Sequence, residues 1–454
     1  MNGMHGRFAW SLILGLVALQ NAALAAAAPL DDGRSYLQRT VKAAALFAYP
    51  LHVMERTRAA ALCQAYESGR PGLNTLSHRR NLATSSDRAV TTPNIDTLYS
   101  AAWLDLAQGP VTLSVPALGR RYNSVQILDM FTDTVAVIGT SSGQKKDTNY
   151  TIVGPEWRGK AAVGSTLVRS PTNDAWLIVR ILVAGQDDLA AGRSAQDAFK
   201  LSTTVAPTPV CPTFEAEAGS AALFASVAAA LARNPVPKGK RIDAAKARAV
   251  GIRRGSHTMD ALTPVVRGAW ERVFPSVLSS FAVGLGAVGK EKSRWKYPPA
   301  GIATRDADLF TRAAVAHRGL GALPLTEALY LTAVTDGEGR PLDGRRTYEL
   351  SLPSHVPIRP GGFWSVTVYQ VEPDGRLFLY DNPAQRFGLG DRSPGILVDN
   401  DKKVVIKFAH EKSGGHTGEW LPVPPGPFAV VFRAYLPEPS LADGKFPMPA
   451  LEPL

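Results

Sequence analysis

The stretch from Phe363 to Tyr435 constrains the fold of this chain more than any other. Short runs of alternating apolar and polar residues are cut by turn signals. These fall at Pro373-Asp374-Gly375, Asp381-Asn382-Pro383, Asp399-Asn400-Asp401 and Pro424-Pro425-Gly426. Period-two alternation sends successive side chains to opposite faces of a sheet, and Gly, Pro, Asn and Asp supply the turns. The pattern predicts an antiparallel β-sandwich or jelly roll. Its loops are dense in Trp, His, Asp, Asn and Arg.

The chain opens with Arg7, an apolar run from Phe8 to Leu19 and then small residues around Ala23-Leu24-Ala25. That order reads as a secretory signal peptide over residues 1–28, too short and wrongly flanked for a membrane span. A periplasmic or secreted location follows as an expectation. Cys63 and Cys211 are the only cysteines. An oxidising compartment would permit a disulfide, but two thiols far apart in sequence can equally stay free. The net charge of +11 is scattered rather than gathered in a stripe with aromatics, so nucleic-acid binding is not expected. Stable membrane insertion is not expected either. A small-molecule or oligomeric ligand and a homo-oligomer are compatible with the sequence.

Ser35 to Tyr66 has helical spacing, interrupted at Pro50. From Val111 to Val183 the runs are short and β-like; Thr97 to Leu104 reads as a strand or extended segment. Asp187 to Leu320 reads as helical, and strands return after Pro324. The expected fold is mainly β with an α-helical insertion. It comprises an N-terminal β-sandwich-like domain (29–186), a small helical domain (187–320) and a C-terminal jelly-roll-like β-sandwich (321–454).

The chain carries no GxSxG, HExxH or P-loop motif. Gly284 to Gly289 imitates a dinucleotide loop but follows a helical run. His410 and His416 bracket a Gly-rich loop at a spacing that matches no metal motif, so no metal site is expected. Asn94, Asp96 and Asp105 surround Tyr99 and Trp103, and Asp129 and Asp133 flank Met130-Phe131. Carboxylates beside aromatics can serve acid–base chemistry on sugars, although Asx residues also cap turns. In the C-terminal block, Asn382, Arg386, Asp391 and Arg392 share one long connection. An Arg there would clamp an anion or order the loop by an ion pair.

Specific motifs carry a family resemblance. Pro-Asn-Ile-Asp-Thr-Leu-Tyr-Ser at 93–100 resembles the exported bacterial family called domain of unknown function 1254. Phe-Trp-Ser-Val-Thr-Val-Tyr at 363–369, Asp-Asn-Pro at 381–383, Gly-Asp-Arg-Ser-Pro-Gly at 390–395 and Trp-Leu-Pro-Val-Pro-Pro-Gly-Pro-Phe at 420–428 resemble its partner, domain 1214. The resemblance implies the β–α–β order and no known cofactor or catalytic residue.

The residues themselves favour an exported hydrolase or lyase acting on a small or oligomeric envelope substrate in a cleft between the β domains. Asp96, Tyr99, Asp129, Arg386 and Asp391 are its expected catalytic residues. Asn94, Trp103, Asn382 and Arg392 are its expected binding residues. The competing reading is a non-catalytic ligand-binding or assembly protein of the envelope, in which the same residues make turns and fill cores.

Overall fold

A computed structural model describes residues 32–70, 72–88, 90–205, 210–214, 218–255, 258–412 and 418–454. The expected signal peptide (1–28), His257 and His416 lie outside the described residues. The chain begins with α1 (Asp32–Glu67), followed by β1 (Ser77–Arg79) and β2 (Thr97–Asp105). Next come β3 (Val111–Val115), β4 (Asn123–Asp129), β5 (Thr134–Gly139), β6 (Thr148–Val153), β7 (Ser165–Arg169) and β8 (Asp174–Leu182). Then α2 (Leu189–Ala198) leads into β9 (Lys200–Thr203).

These strands form two layers. A five-stranded sheet in the order β1-β2-β8-β4-β5 faces a four-stranded sheet in the order β7-β6-β3-β9. The alternate residues Leu104, Val125, Ile127, Leu177 and Val179 meet Val111, Leu113 and Ile152 in one apolar core between them. The helical period read from Asp187 appears as α2. Helix α2 packs on β2 and β8, and β9 pairs with β3, so this segment completes the first β region.

The helical layer proper is α3 (Gly219–Arg233), α4 (Arg241–Ala249), α5 (Pro264–Val288) and, after two short strands, α6 (Leu309–Arg318). Helix α1 touches all four. It runs unbroken through Pro50, where a break was expected. A proline inside a helix costs roughly 3 kcal/mol. Burying each large apolar side chain returns about 1.5–3 kcal/mol, and Leu46, Phe47, Leu51 and Met54 around Pro50 are all buried. The Gly284–Gly289 imitation of a dinucleotide loop lies in the last turn of α5 and its C-cap. With α1 and this layer included, the architecture is mixed α and β rather than mainly β.

The C-terminal region is again two-layered. The strands are β10 (Lys290–Lys292), β11 (Trp295–Tyr297), β12 (Ala328–Ala333), β13 (Tyr348–Pro353), β14 (Ile358–Val371) and β15 (Leu377–Phe378). They continue with β16 (Gly388–Gly390), β17 (Lys403–Ala409), β18 (Glu419–Pro422), β19 (Phe428–Pro437), α7 (Pro439–Ala442) and β20 (Glu452–Pro453). A seven-stranded sheet, β10-β11-β12-β19-β14-β15 with β16 beside β14, packs on β18-β17-β13-β20. Trp364, Val366 and Val368 of β14 join Phe428, Val430 and Phe432 of β19 in the core between them. The opposite face of that sheet turns to the first β region.

Cys63 of α1 and Cys211 form a disulfide across a sequence separation of 148 residues. Cross-linking so long a loop removes unfolded-chain entropy worth about 5 kcal/mol in the loop-closure treatment, and measured losses for native disulfides run about 2–5 kcal/mol. The paired change Cys63→Ala with Cys211→Ala should therefore lower the denaturant midpoint by an equivalent of about 2–5 kcal/mol. Equal midpoints for the variant and the oxidised protein would contradict this.

Candidate functional site

The junction between the β regions is built by strand alternation. On β14 the residues pointing away from the C-terminal core are Phe363, Ser365, Thr367 and Tyr369. On β19 they are Val431, Arg433 and Tyr435, and on β12 Tyr330 joins them. Ser365, Thr367, Tyr369, Arg433 and Tyr435 are all buried. A largely polar sheet face is therefore covered, which is costly unless every group finds a partner.

The first region supplies much of that cover. Asn94 precedes β2, and its Oδ1 accepts from the Asp96 amide at 2.6 Å. This is the expected turn cap, but the same side chain also reaches across. Its Nδ2 donates to the Tyr435 hydroxyl at 2.6 Å. The Ser365 hydroxyl donates to Asp96 Oδ2 at 2.7 Å, and the Tyr369 hydroxyl donates to the Pro93 carbonyl at 2.7 Å. Asp96 is 8% exposed. Burial pushes its carboxyl above the usual range, against the pull of Arg433 and the Ser365 hydroxyl.

Two guanidiniums sit in this buried region. Arg433 donates to Thr367 Oγ1 at 2.9 Å, to the Tyr369 hydroxyl at 2.6 Å and to the Thr92 carbonyl at 3.2 Å. Burial works against its charge, but Tyr369 and Asp96 keep it firmly protonated. Arg180 of β8 donates to Gln126 Oε1 at 3.1 Å and to the Gly321 carbonyl, and lies over the Tyr99 ring. Among the described residues neither guanidinium forms an ion pair with a carboxylate. The junction thus carries buried positive charge held mainly by neutral oxygens. Tyr330 is pushed up to about 12 by burial, and Tyr435 well above its ordinary value for the same reason. Tyr99 and Tyr330 keep partly accessible surface although their neighbours are buried.

The structure brings Asn94, Asp96 and Tyr99 into this cluster, with Asp391 and Arg392 at its edge. Gly388 and Gly390 pair with Thr367 and Ser365. Asp391 follows, its Oδ1 accepting from the Trp364 amide at 3.1 Å. Arg392 donates to the Gly362 carbonyl at 2.8 Å. Asp391 keeps 33% of its side chain exposed. Burial of the remainder pushes its carboxyl up to about 6, against the Trp364 amide and Arg392.

Four other expected residues lie apart from the cluster. Trp103 stacks on Trp176 at 5.4 Å, against the helical layer. Asp129 stands three residues along β4 from Gln126, about 10 Å of strand. Its Oδ1 caps the turn, accepting from the amides of Phe131 at 2.8 Å and Asp133 at 3.0 Å. Asn382 bonds the backbone of Arg386 within one loop, and Arg386 pairs with Glu419. His410 is exposed, with its Nδ1 beside the Val423 carbonyl.

Arg180, Tyr330, Ser365, Tyr369, Arg433 and Tyr435 were not singled out from sequence. A signal was present. An arginine inside an apolar strand run, as in Asp174–Leu182 and Phe428–Pro437, must find buried acceptors or solvent.

Asp391 gives a pH prediction. Its folded-state carboxyl sits above its ordinary value of 3.8, so the folded protein holds a proton that the unfolded chain has released. Stability should fall as pH rises from about 4 to about 6. Asp391→Asn keeps an acceptor for the Trp364 amide and removes that titration. Denaturant midpoints should show the variant gaining on the wild type across this window and levelling above it. A pH-independent difference would refute the assignment.

Among the known proteins, family models match at two places. Protein of unknown function DUF1254 covers residues 73–203, and protein of unknown function DUF1214 covers residues 327–439. The curated proteins show no match. The crystal structure of the VPA0106 protein from Vibrio parahaemolyticus is similar, with a TM-score of 0.71 at 20% identity. The alignment covers 92% of this chain and 100% of that one, so the two share a fold. An uncharacterized protein from Burkholderia cenocepacia aligns over 93% of this chain and 95% of its own, at 12% identity and a TM-score of 0.44. With both regions matched, one on either side of the junction, the chain belongs to the family of proteins that join a DUF1254 region to a DUF1214 region.

Proposed function

We propose that this protein is an exported hydrolase or lyase. It acts on an envelope substrate, small enough to enter the junction between its two β regions. The observation that carries the reading is Asp96. This carboxylate is contributed by one region, hydrogen-bonded by Ser365 of the other, and pushed by burial toward the range useful for proton transfer. Strongly perturbed groups in enclosed places mark functional sites more often than chance. In this reading Asp96 is the general base. Arg180 and Arg433 orient the substrate or stabilise negative charge that develops on it. Tyr99 and Tyr330, the partly accessible members, line its approach. Asp391 is a second titrating carboxyl at the edge.

A second reading, a ligand-binding or assembly protein without chemistry, draws support from Trp103, Asn382 and Arg386. Each is engaged in core packing or loop ordering. Export is supported by the Cys63–Cys211 disulfide, which is compatible with an oxidising extracytoplasmic compartment. Among the described residues no helix is long and apolar enough to cross a membrane.

Purified protein screened against envelope-derived esters, glycosides and anionic sugars should turn over at least one class. Asp96→Asn should lower that turnover by roughly 100- to 10,000-fold, the usual contribution of a positioned acid or base, in a variant shown by circular dichroism to be folded at the assay temperature. Undiminished turnover in the variant would remove Asp96 as the base. Saturable binding without turnover would favour the second reading. Fractionation of cells making the full chain should place the mature protein, starting near residue 29, outside the cytoplasm. Recovery of an uncleaved cytoplasmic form would refute export.

A further inference from the structure

A cavity of about 430 Å³ opens beside the junction, where all three parts of the chain meet. The first β region contributes Thr134 to Val137 and Ser141-Ser142. The loop before α6 contributes Ala303 to Arg305, and the C-terminal region Pro324, Thr326, Glu327 and Arg359. None of the residues expected from sequence to form a site lines it.

Its chemistry is distinctive. Two guanidiniums, Arg305 and Arg359, stand on its wall. Arg359 donates to the Thr326 carbonyl, leaving most of its donors for another acceptor. The Arg305 guanidinium makes no hydrogen bond or ion pair among the described residues, although Asp129 feels its charge. The one carboxyl in the lining, Glu327, is 2% exposed and accepts from the Tyr122 hydroxyl at 2.6 Å. Burial raises its pKa, against the Ser141 and Tyr122 hydroxyls and the charges of Arg180 and Arg359. The other polar side chains are hydroxyls of Thr134, Ser141, Ser142, Thr304 and Thr326. Val135 to Val137 of β5 supply an apolar floor at the edge of the five-stranded sheet.

The backbone here is also held in an uncommon state. Ala303 has φ of 57°, in the left-handed region that costs a non-glycine residue about 1 kcal/mol or more. It is pinned by its carbonyl, which accepts from the Thr134 amide at 3.2 Å. That contact ties the Arg305 loop to the edge strand and fixes one cation on the cavity wall.

We propose that this cavity binds a small organic anion, a carboxylate or a phosphate. Arg305 and Arg359 take its charge, the Thr134 and Thr326 hydroxyls donate to its remaining acceptors, and β5 covers its short carbon skeleton. Guanidinium groups suit both acids because their planar forks match paired oxygens. The volume is that of a small-molecule site. The net charge of +11 would draw such ligands in. The site is separate from Asp96 and does not depend on the reaction proposed there.

Calorimetric titration of the full chain with inorganic phosphate and with succinate tests this. Saturable binding of either is expected, and whichever binds names the acid. Arg305→Gln and Arg359→Gln should each weaken it by about tenfold or more. Arg158→Gln, at an exposed site whose side chain is 75% accessible, should leave it unchanged, as should Asp96→Asn. The proposal is overturned if neither anion binds saturably up to about 10 mM, or if both cavity variants bind like the wild type. It is also overturned if Asp96→Asn, which removes a negative charge from beside Arg433, tightens binding, because that would put the anion at the buried junction instead.

Discussion

The structure depends on how a polar sheet face is buried. Arg433 lies on the central strand β19 of the C-terminal sheet, 3% exposed. Arg180 lies inside the first sheet, 4% exposed. Taking a charge out of water is tolerable only when fixed dipoles replace the hydration shell. Here those dipoles are hydroxyls and carbonyls drawn from both regions. Thr92, Pro93 and Asn94 bond to Arg433, Tyr369 and Tyr435, and Gly321 and Gln126 bond to Arg180. Neither region could satisfy its own arginine set alone. The two β regions are therefore committed to one arrangement by hydrogen-bond geometry rather than by apolar contact alone.

That commitment extends outward from the arginines. The Tyr435 ring stacks on Phe363 at 4.2 Å and lies 5.1 Å from Tyr122, whose hydroxyl bonds Glu327. Glu327 faces the cavity that carries Arg305 and Arg359. A continuous set of contacts thus joins the motif around Asn94 to an open recess on the other side of the tyrosines. Buried networks of this kind are rigid when every member is satisfied and costly when one is removed.

The helical layer gives the junction a fixed backing. Helix α1 is surrounded by α3, α4, α5 and α6. Trp103, Leu128 and Ile178 of the first sheet enter the same core. Behind them the buried carboxylates of Glu55 and Asp174 pair with the half-buried Arg233, linking α1, β8 and α3. The apolar end of that sheet face rests on helices and its polar end on the C-terminal sheet. One face of one sheet therefore serves two neighbours of opposite character.

Much of this was legible from local pattern. The strand runs, most helices, the Asn94 cap and both family motifs follow from period, turn chemistry and specific spacing, because these are properties of neighbouring residues. The alternation in Phe363 to Tyr369 already places Ser365, Thr367 and Tyr369 on one face. What local pattern could not decide is what covers that face. Asp96 and Ser365 are 269 positions apart, and Cys63 and Cys211 are 148 apart. Asp129 and Asp96 look alike as carboxylates beside aromatics, yet one caps a turn and the other meets a second region. Sequence determined which residues must be buried, exposed or turned. Only the tertiary structure decided which buried polar groups meet, because those contacts depend on how distant sheets dock.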